Sequence, residues 1–160
     1  MSGAVGCRTN EMRVGFMKST ILFSRALELI GGGSTALLGL FLFLRIFSEA
    51  LSLGEPIKPR TDLKVFLILA LPGIVVAVGS YFHAIRRKQW AVIVVFIGGI
   101  ANVALVGLNA GLAYALIQDI WGRIGIFADC AATALTMGLA LVNAIVLVTF
   151  EAYEKPRQYG

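Results

Sequence analysis

Charged side chains are missing from long stretches of this sequence. About thirty consecutive residues, Gln89 to Gln118, carry none, and three further apolar runs accompany them: Leu29 to Leu44, Val65 to Ile85 and Cys130 to Phe150. Soluble domains are roughly 45–50% apolar, whereas 58% of these 160 residues are hydrophobic and the mean hydropathy is +0.85. The missing charge therefore predicts that lipid, rather than water, is the solvent.

Residues that build catalytic and metal sites are also scarce. The two cysteines, Cys7 and Cys130, form no CxxC pair, which argues against thiol–disulfide chemistry. His83 is the only histidine, so the chain alone lacks a second axial ligand for haem and the partners for zinc. No Ser–His–Asp arrangement or phosphate-binding loop is recognisable. We expect no enzyme, cofactor or metal site, although His83 could ligate a group shared with another subunit.

The four apolar runs predict an all-α integral membrane protein, a four-helix bundle with up-down-up-down topology. About 20 apolar residues, at 1.5 Å each, cross a hydrocarbon core of roughly 30 Å. The spans are predicted at residues 24–47 (TM1), 63–85 (TM2), 89–118 (TM3) and 126–150 (TM4). They form one domain, 24–150, between a flexible tail, 1–23, and a short tail, 151–160.

Proline and charge mark the bends and connections. Pro72 removes a backbone donor and predicts a kink in TM2. The basic segment Arg86–Lys88 predicts a short turn, which makes TM2 and TM3 antiparallel neighbours. The polar segment 119–125 predicts a link at the outer interface.

The basic residues are distributed unequally between the two predicted sides. With four spans, nine Lys and Arg residues lie on the side of the termini and five on the other, within a net charge of +5. The positive-inside bias therefore predicts that both termini are cytoplasmic, in a plasma membrane that we assume is a bacterial inner membrane. We expect the cytoplasmic charge to contact anionic lipids of the bilayer rather than nucleic acid.

Two stripes of polar residues stand out within the spans. Asn102 and Asn109 lie seven residues apart in TM3, and Thr136 and Asn143 lie seven apart in TM4, so each pair shares one helix face. In an antiparallel hairpin, residues at equal depth have position numbers with a constant sum. The pairs Asn109–Thr136 and Asn102–Asn143 both sum to 245, so we predict that they form interhelical hydrogen bonds. They act either as packing contacts or as the lining of a polar path.

Small residues follow the opposite faces of the same helices. Gly107 with Gly111, and Ala134 with Gly138, are spaced for close helix packing. One face of each helix must then meet the rest of the bundle or another subunit, which leaves a homo-oligomer open.

Arg25 and Glu28 are spaced i, i+3 where TM1 enters the membrane, which predicts an interfacial ion pair. The alternative, a carboxylate that couples transport, is disfavoured because Glu28 lies at the edge of the span. His83 is expected to be an interfacial polar residue beside Arg86.

Two functions follow from these patterns. The first is a non-catalytic membrane protein that acts through helix packing, as an accessory or assembly subunit of a membrane complex or as a homo-oligomer. The second is a small transporter or channel with a path lined by the Asn and Thr residues of TM3 and TM4. They differ in whether water reaches those side chains.

Overall fold

A computed structural model describes the backbone of residues 3–52, 59–116 and 120–154, and the side chains of 19–48, 51–52, 63–107 and 120–149. Within these ranges the chain is all-helical, as predicted. The five helices are α1 (Gly3–Ser52), α2 (Pro59–Leu69), α3 (Leu71–Ala84), α4 (Trp90–Leu116) and α5 (Ile120–Glu154).

Three of the helices are long and apolar enough to cross a membrane. The qualifying stretches are Ser19–Ser48 in α1, Trp90–Gly107 in α4 and Ile120–Thr149 in α5. The pair α2 and α3 meets the same criterion only when the two helices are taken together, across a bend of 43°.

The distribution of side chains is the reverse of that in a soluble bundle. Large apolar side chains cover the outside, with Leu37 69% and Phe127 79% exposed, while Glu28, Asn102 and Asp129 are fully buried. A soluble protein buries apolar surface and leaves ionisable groups in water. The apolar exterior and polar interior are the arrangement of a membrane protein.

The helices pack as a ring. α1 packs against α3 and α5, and α4 packs against the same two helices from the opposite corner. Each helix turns a stripe of small or polar residues inward. The inward positions of α5 recur every three or four residues: Gly122, Gly125, Asp129, Thr133, Thr136, Ala140 and Asn143.

The predicted kink at Pro72 is confirmed as a break between α2 and α3. Pro72 lies in the first turn of α3, where its missing N–H has no helical role. The backbone ladder continues on both sides of the break, since Ala70 N–H donates to Phe66 O (2.8 Å) and Ile74 N–H donates to Ala70 O (3.1 Å). The chain therefore bends by 43° at this point, while helical backbone hydrogen bonds continue on both sides of the bend.

The predicted basic turn joins α3 to α4. Lys88 N–H donates to Phe82 O at 3.2 Å, and Arg87 has a φ of 54°, in the left-handed region that non-glycine residues seldom adopt. α3 and α4 pack together along their lengths, as the short turn predicts.

Two expected non-helical segments are helical instead. α1 begins at Gly3, so the backbone of residues 3–23, predicted as a tail outside the first span, is helical and continuous with that span. That segment contains no proline to stop the helix. α5 begins at Ile120, so residues 120–125 of the predicted link belong to the helix. α5 also passes the predicted end at residue 150 and reaches Glu154.

Glycines allow α1 to approach the bent pair closely, and this approach generates a prediction. A Cβ on Gly39 would lie 2.5 Å from Leu69 O, a backbone atom that cannot rotate away, whereas a Cβ on Gly33 meets nothing within 4 Å. We expect Gly39→Ala to lower the thermal unfolding midpoint in detergent, at a cost of about 1–3 kcal/mol. Gly33→Ala is the matched control and should be neutral or stabilising, by up to about 1 kcal/mol of helix propensity. Equal midpoints for the two variants would contradict the close approach.

Candidate functional site: two buried polar clusters

A cluster of three polar side chains joins three helices in the interior of the bundle. Glu28 of α1 is fully buried, and its Oε1 lies 2.8 Å from Nδ1 of His83 on α3. Nδ2 of Asn143, on α5, donates a hydrogen bond of 2.7 Å to Oε2 of the same carboxyl group. Both carboxyl oxygens therefore have partners, each supplied by a different helix. We call these residues the glutamate cluster.

The glutamate cluster pairs a carboxyl group with an imidazole through one hydrogen bond. When Glu28 is ionised, His83 donates its Nδ1–H to the carboxylate and Asn143 donates an amide N–H. Asn143 cannot titrate, so its role is to orient and satisfy the carboxyl group.

Glu28 takes its described hydrogen bonds from His83 and Asn143, while Arg25, which is partly buried, interacts electrostatically with both Glu28 and Arg87. His83 is 3% exposed and lies one residue before the end of α3, so it faces the bundle interior close to the basic turn. The depth of Glu28 and His83 in a membrane, predicted as interfacial, stays a prediction. The i, i+3 spacing on one helix could not reveal a partner on α3.

A second cluster lies between α4 and α5. Nδ2 of Asn102 lies 2.8 Å from Oδ2 of Asp129 and 2.8 Å from Oγ1 of Thr133. The Thr133 hydroxyl in turn donates to the backbone O of Asp129 at 2.8 Å. All three residues are fully buried, and we call them the aspartate cluster.

The predicted pair of Asn102 with Asn143 is not formed, because the two residues belong to different clusters. The prediction placed the turn between TM3 and TM4 near Gly122 and Arg123. α4 ends at Leu116 and α5 begins at Ile120, so positions at equal depth sum to about 236 rather than 245. Asn102 consequently faces Asp129 and Thr133, which the sequence analysis had not assigned to the site.

The predicted partner pair Asn109 and Thr136 is only half described. The side chain of Asn109 lies outside the described residues. Thr136 is fully buried, donates to Ala132 O on its own helix at 2.7 Å and abuts the backbone of Gly31 on α1. Thr136 thus faces the bundle, as the polar stripe predicts, but it packs against α1.

The two clusters lie on one face of α5 at different depths. Asp129 and Asn143 are fourteen residues apart, which is about 21 Å along a helix and about two-thirds of the hydrocarbon thickness. Thr136, seven residues before Asn143 on α5, lies between the two clusters along that helix. Thr136 and Ser80 of α3 are both fully buried and adjoin the neighbouring glycines Gly31 and Gly32 of α1.

Three buried polar atoms in the described part of the chain have no hydrogen-bond partner: Ser80 Oγ, Asn102 Oδ1 and Asp129 Oδ1. Two of them belong to the aspartate cluster. Native proteins satisfy most buried polar atoms, so these two atoms indicate that a proton or another group is needed there.

The small residues opposite the polar stripes face outward. A Cβ on Gly107 or on Gly138 would meet no atom within 4 Å, and Ala134 is exposed. The surroundings of Gly111 lie outside the described residues. The polar faces meet the rest of the bundle, and these described small positions remain on its outer surface.

Among the side chains that the structure describes, no group of three or more His, Cys, Asp or Glu residues is placed to hold a metal ion. Comparisons of the chain with protein-family models, with curated proteins and with solved structures find no match. The two buried polar clusters are therefore the features of this chain that bear on its function.

The hydrogen bond from Asn143 generates a stability prediction. Asn143→Leu removes the donor to Glu28 Oε2 and leaves a buried carboxyl oxygen without a partner, which we expect to cost about 1–3 kcal/mol. Thr149→Val is the control, because Thr149 is exposed on the same helix and its hydroxyl donates to the backbone O of Ile145 and Val146 in the preceding turn. Thermal unfolding in detergent should show a lower midpoint for Asn143→Leu alone. An unchanged midpoint in both variants would contradict the described bond.

Proposed function

We propose that this chain is a small proton-translocating membrane protein, in which the glutamate cluster binds and releases the transported proton. The observation that carries the proposal is the fully buried Glu28 carboxyl group, 2.8 Å from the His83 imidazole. Ionisable side chains within membrane spans are rare, face the bundle interior and mark ion or proton pathways.

Packing alone is a weak reason to keep these groups. An ionisable residue such as aspartate at the centre of a span costs about 2.5–3.5 kcal/mol on insertion scales, whereas one interhelical hydrogen bond in lipid returns on average about 0.6 kcal/mol. Uncharged small residues pack membrane helices without that cost. Proton chemistry therefore explains the retention of Asp129 better than packing does, and it accounts in the same way for the buried pair of Glu28 and His83, of which His83 lies near the end of α3.

The position of Glu28 would couple a change of proton to helix packing. Its two oxygens receive hydrogen bonds from α3 and from α5, while the residue itself belongs to α1. A neutral carboxylic acid and an ionised carboxylate need different donors and acceptors. Proton binding would therefore change the contacts between α1 and both of its neighbours. The buried hydroxyls of Ser80 and Thr136 would help carry the proton toward the aspartate cluster, with water completing the path.

The second candidate function is the accessory or assembly subunit, or the homo-oligomer. A specific observation favours it: the polar side chains are buried against one another, as packing requires, and small residues such as Gly107 and Gly138 face outward. Neither reading involves catalysis, a cofactor or nucleic acid.

We also propose the four-span topology, with α2 and α3 together forming the second span and both termini in the cytoplasm. The ring of α1, α3, α4 and α5 supports four spans, and the excess of basic residues on the side of the termini supports this orientation. The cell membrane is then the plasma membrane, a bacterial inner membrane by assumption, with anionic lipids beside the basic turn Arg86–Lys88.

Single-cysteine labelling tests the topology. In a chain with Cys7→Ser and Cys130→Ser, cysteines placed at Ser2 and Gly160 should react with a membrane-impermeant reagent only after the cells are opened. A cysteine at Lys58 should react in intact cells. Reaction of all three positions from the same side would overturn the four-span arrangement.

Proteoliposomes test the proposed translocation. Vesicles with a pH-sensitive dye inside and a potassium diffusion potential, negative inside, should acidify faster with the protein than without it. Glu28→Gln should reduce the rate to that of protein-free vesicles, because the amide cannot exchange the proton. Lys64→Gln changes an exposed charge on α2 and should retain the wild-type rate.

The flux measurement and an extraction experiment together separate the two candidate functions. Equal rates for wild type, Glu28→Gln and protein-free vesicles would overturn proton translocation. Gentle extraction that recovers a partner protein in stoichiometric amount, together with no proton flux, would instead support the accessory subunit.

A further inference from the structure

The aspartate cluster contains two buried acceptors without donors, and they belong to groups that are already joined. Asn102 Nδ2 donates to Asp129 Oδ2 at 2.8 Å, while Asn102 Oδ1 and Asp129 Oδ1 have no partner. Both residues are fully buried. An unbonded buried acceptor costs about 1–3 kcal/mol, and a charged one costs more. If Asp129 is ionised, its Oδ1 and Asn102 Oδ1 are both acceptors and neither can satisfy the other.

No ion pair of Asp129 with a cation is found among the described contacts. α4 contributes no ionisable side chain from Trp90 to Gly107, and the stretch of α1 from Ile30 to Leu44 contributes none, with the half-buried Arg45 following it. On α5 itself, Cys130 is adjacent and uncharged as a thiol, while Arg123 lies six residues earlier and is exposed. Asn102 bonds the Asp129 side chain, and the Thr133 hydroxyl donates to the Asp129 backbone O.

We propose that Asp129 is a second proton-binding site of the bundle and is neutral in the conformation described. A single proton on Asp129 Oδ1 makes that oxygen a donor, and Asn102 Oδ1 is the free acceptor of the group that already faces it. With these two oxygens turned toward each other, the carboxylic acid and the amide would form a cyclic pair with two hydrogen bonds, one in each direction. Both unpartnered atoms are satisfied together, and no charge remains buried.

A monovalent cation would need more oxygen ligands than this cluster supplies. Thr133 Oγ1 already accepts from Asn102 and donates to the backbone, so two free oxygens remain. A proton needs only those two. The inference concerns the protonation of Asp129 and does not depend on whether the bundle translocates protons.

Infrared spectroscopy of the full chain in detergent tests the protonation directly. At neutral pH the wild type should show the C=O stretch of a protonated carboxylic acid, with a shift on transfer to deuterated water. Asp129→Asn should lose this band, whereas Glu28→Gln should retain it. Absence of the band in the wild type, or a band of unchanged amplitude and frequency in Asp129→Asn, would overturn the proposal, while any part that Glu28 contributes is identified by its loss in Glu28→Gln. Asn102→Leu removes the amide partner and should move the band to the higher frequency of an unbonded acid.

The pH dependence of stability gives a second readout. A carboxyl group that is neutral in the folded bundle stabilises it at low pH, and this contribution is lost as rising pH removes the proton. Asp129→Asn keeps an amide donor toward Asn102 without a titrating group. Between pH 6 and pH 9 the unfolding midpoint of Asp129→Asn should therefore fall less than that of the wild type. Glu28→Gln is the reference, because it retains Asp129 and should keep the fall that Asp129 causes. A wild-type midpoint that instead rises with sodium, at constant pH and ionic strength, would assign the site to a metal cation and overturn the proposal.

Discussion

A carboxyl group removed from water must obtain its hydrogen bonds from the protein, and Glu28 obtains them from two other helices. Its oxygens meet His83 at 2.8 Å and Asn143 at 2.7 Å. This requirement sets the relative positions of α1, α3 and α5, because a shift of any one by a helical turn would leave a buried oxygen unpaired. The polar contacts therefore specify the register of α1, α3 and α5 more strictly than apolar contacts between helices could, because apolar side chains pack against lipid tails about as well as against each other.

Small residues make these contacts geometrically possible. The glycines that follow Glu28 on α1 lie against α3 and α5, where a Cβ on Gly32 would stand 2.7 Å from Ser80 Oγ. Larger side chains would separate the helices and lengthen the bonds to Glu28. The glycines thus lower the intrinsic stability of α1 as a helix, while they permit the approach that satisfies its carboxyl group.

The sequence predicts the elements of this fold better than their pairing. Hydropathy locates α4 and α5, and the missing N–H of Pro72 locates the break between α2 and α3. Seven-residue spacing places Thr136 and Asn143 on one inward face of α5. Register depends on where the chain turns, and treating 119–125 as a link displaced every α4–α5 pair. The partnership of Glu28 with His83 spans 55 positions, and no local spacing encodes it. Asp129 and Thr133 lie on the same α5 face as Thr136 and Asn143, as the spacing indicates, but the displaced register kept them from being paired with Asn102.

The separation of these partners along the chain has a consequence during biosynthesis. Glu28 lies 115 residues before Asn143, and at about 5–20 residues per second the ribosome needs roughly 6–23 s to make the intervening chain. During that interval α1 is complete but α5 does not yet exist. Until α5 is made, one oxygen of the carboxyl group has no partner within the chain and must be satisfied by water or by the insertion machinery. The glutamate cluster is therefore completed only after translation of α5.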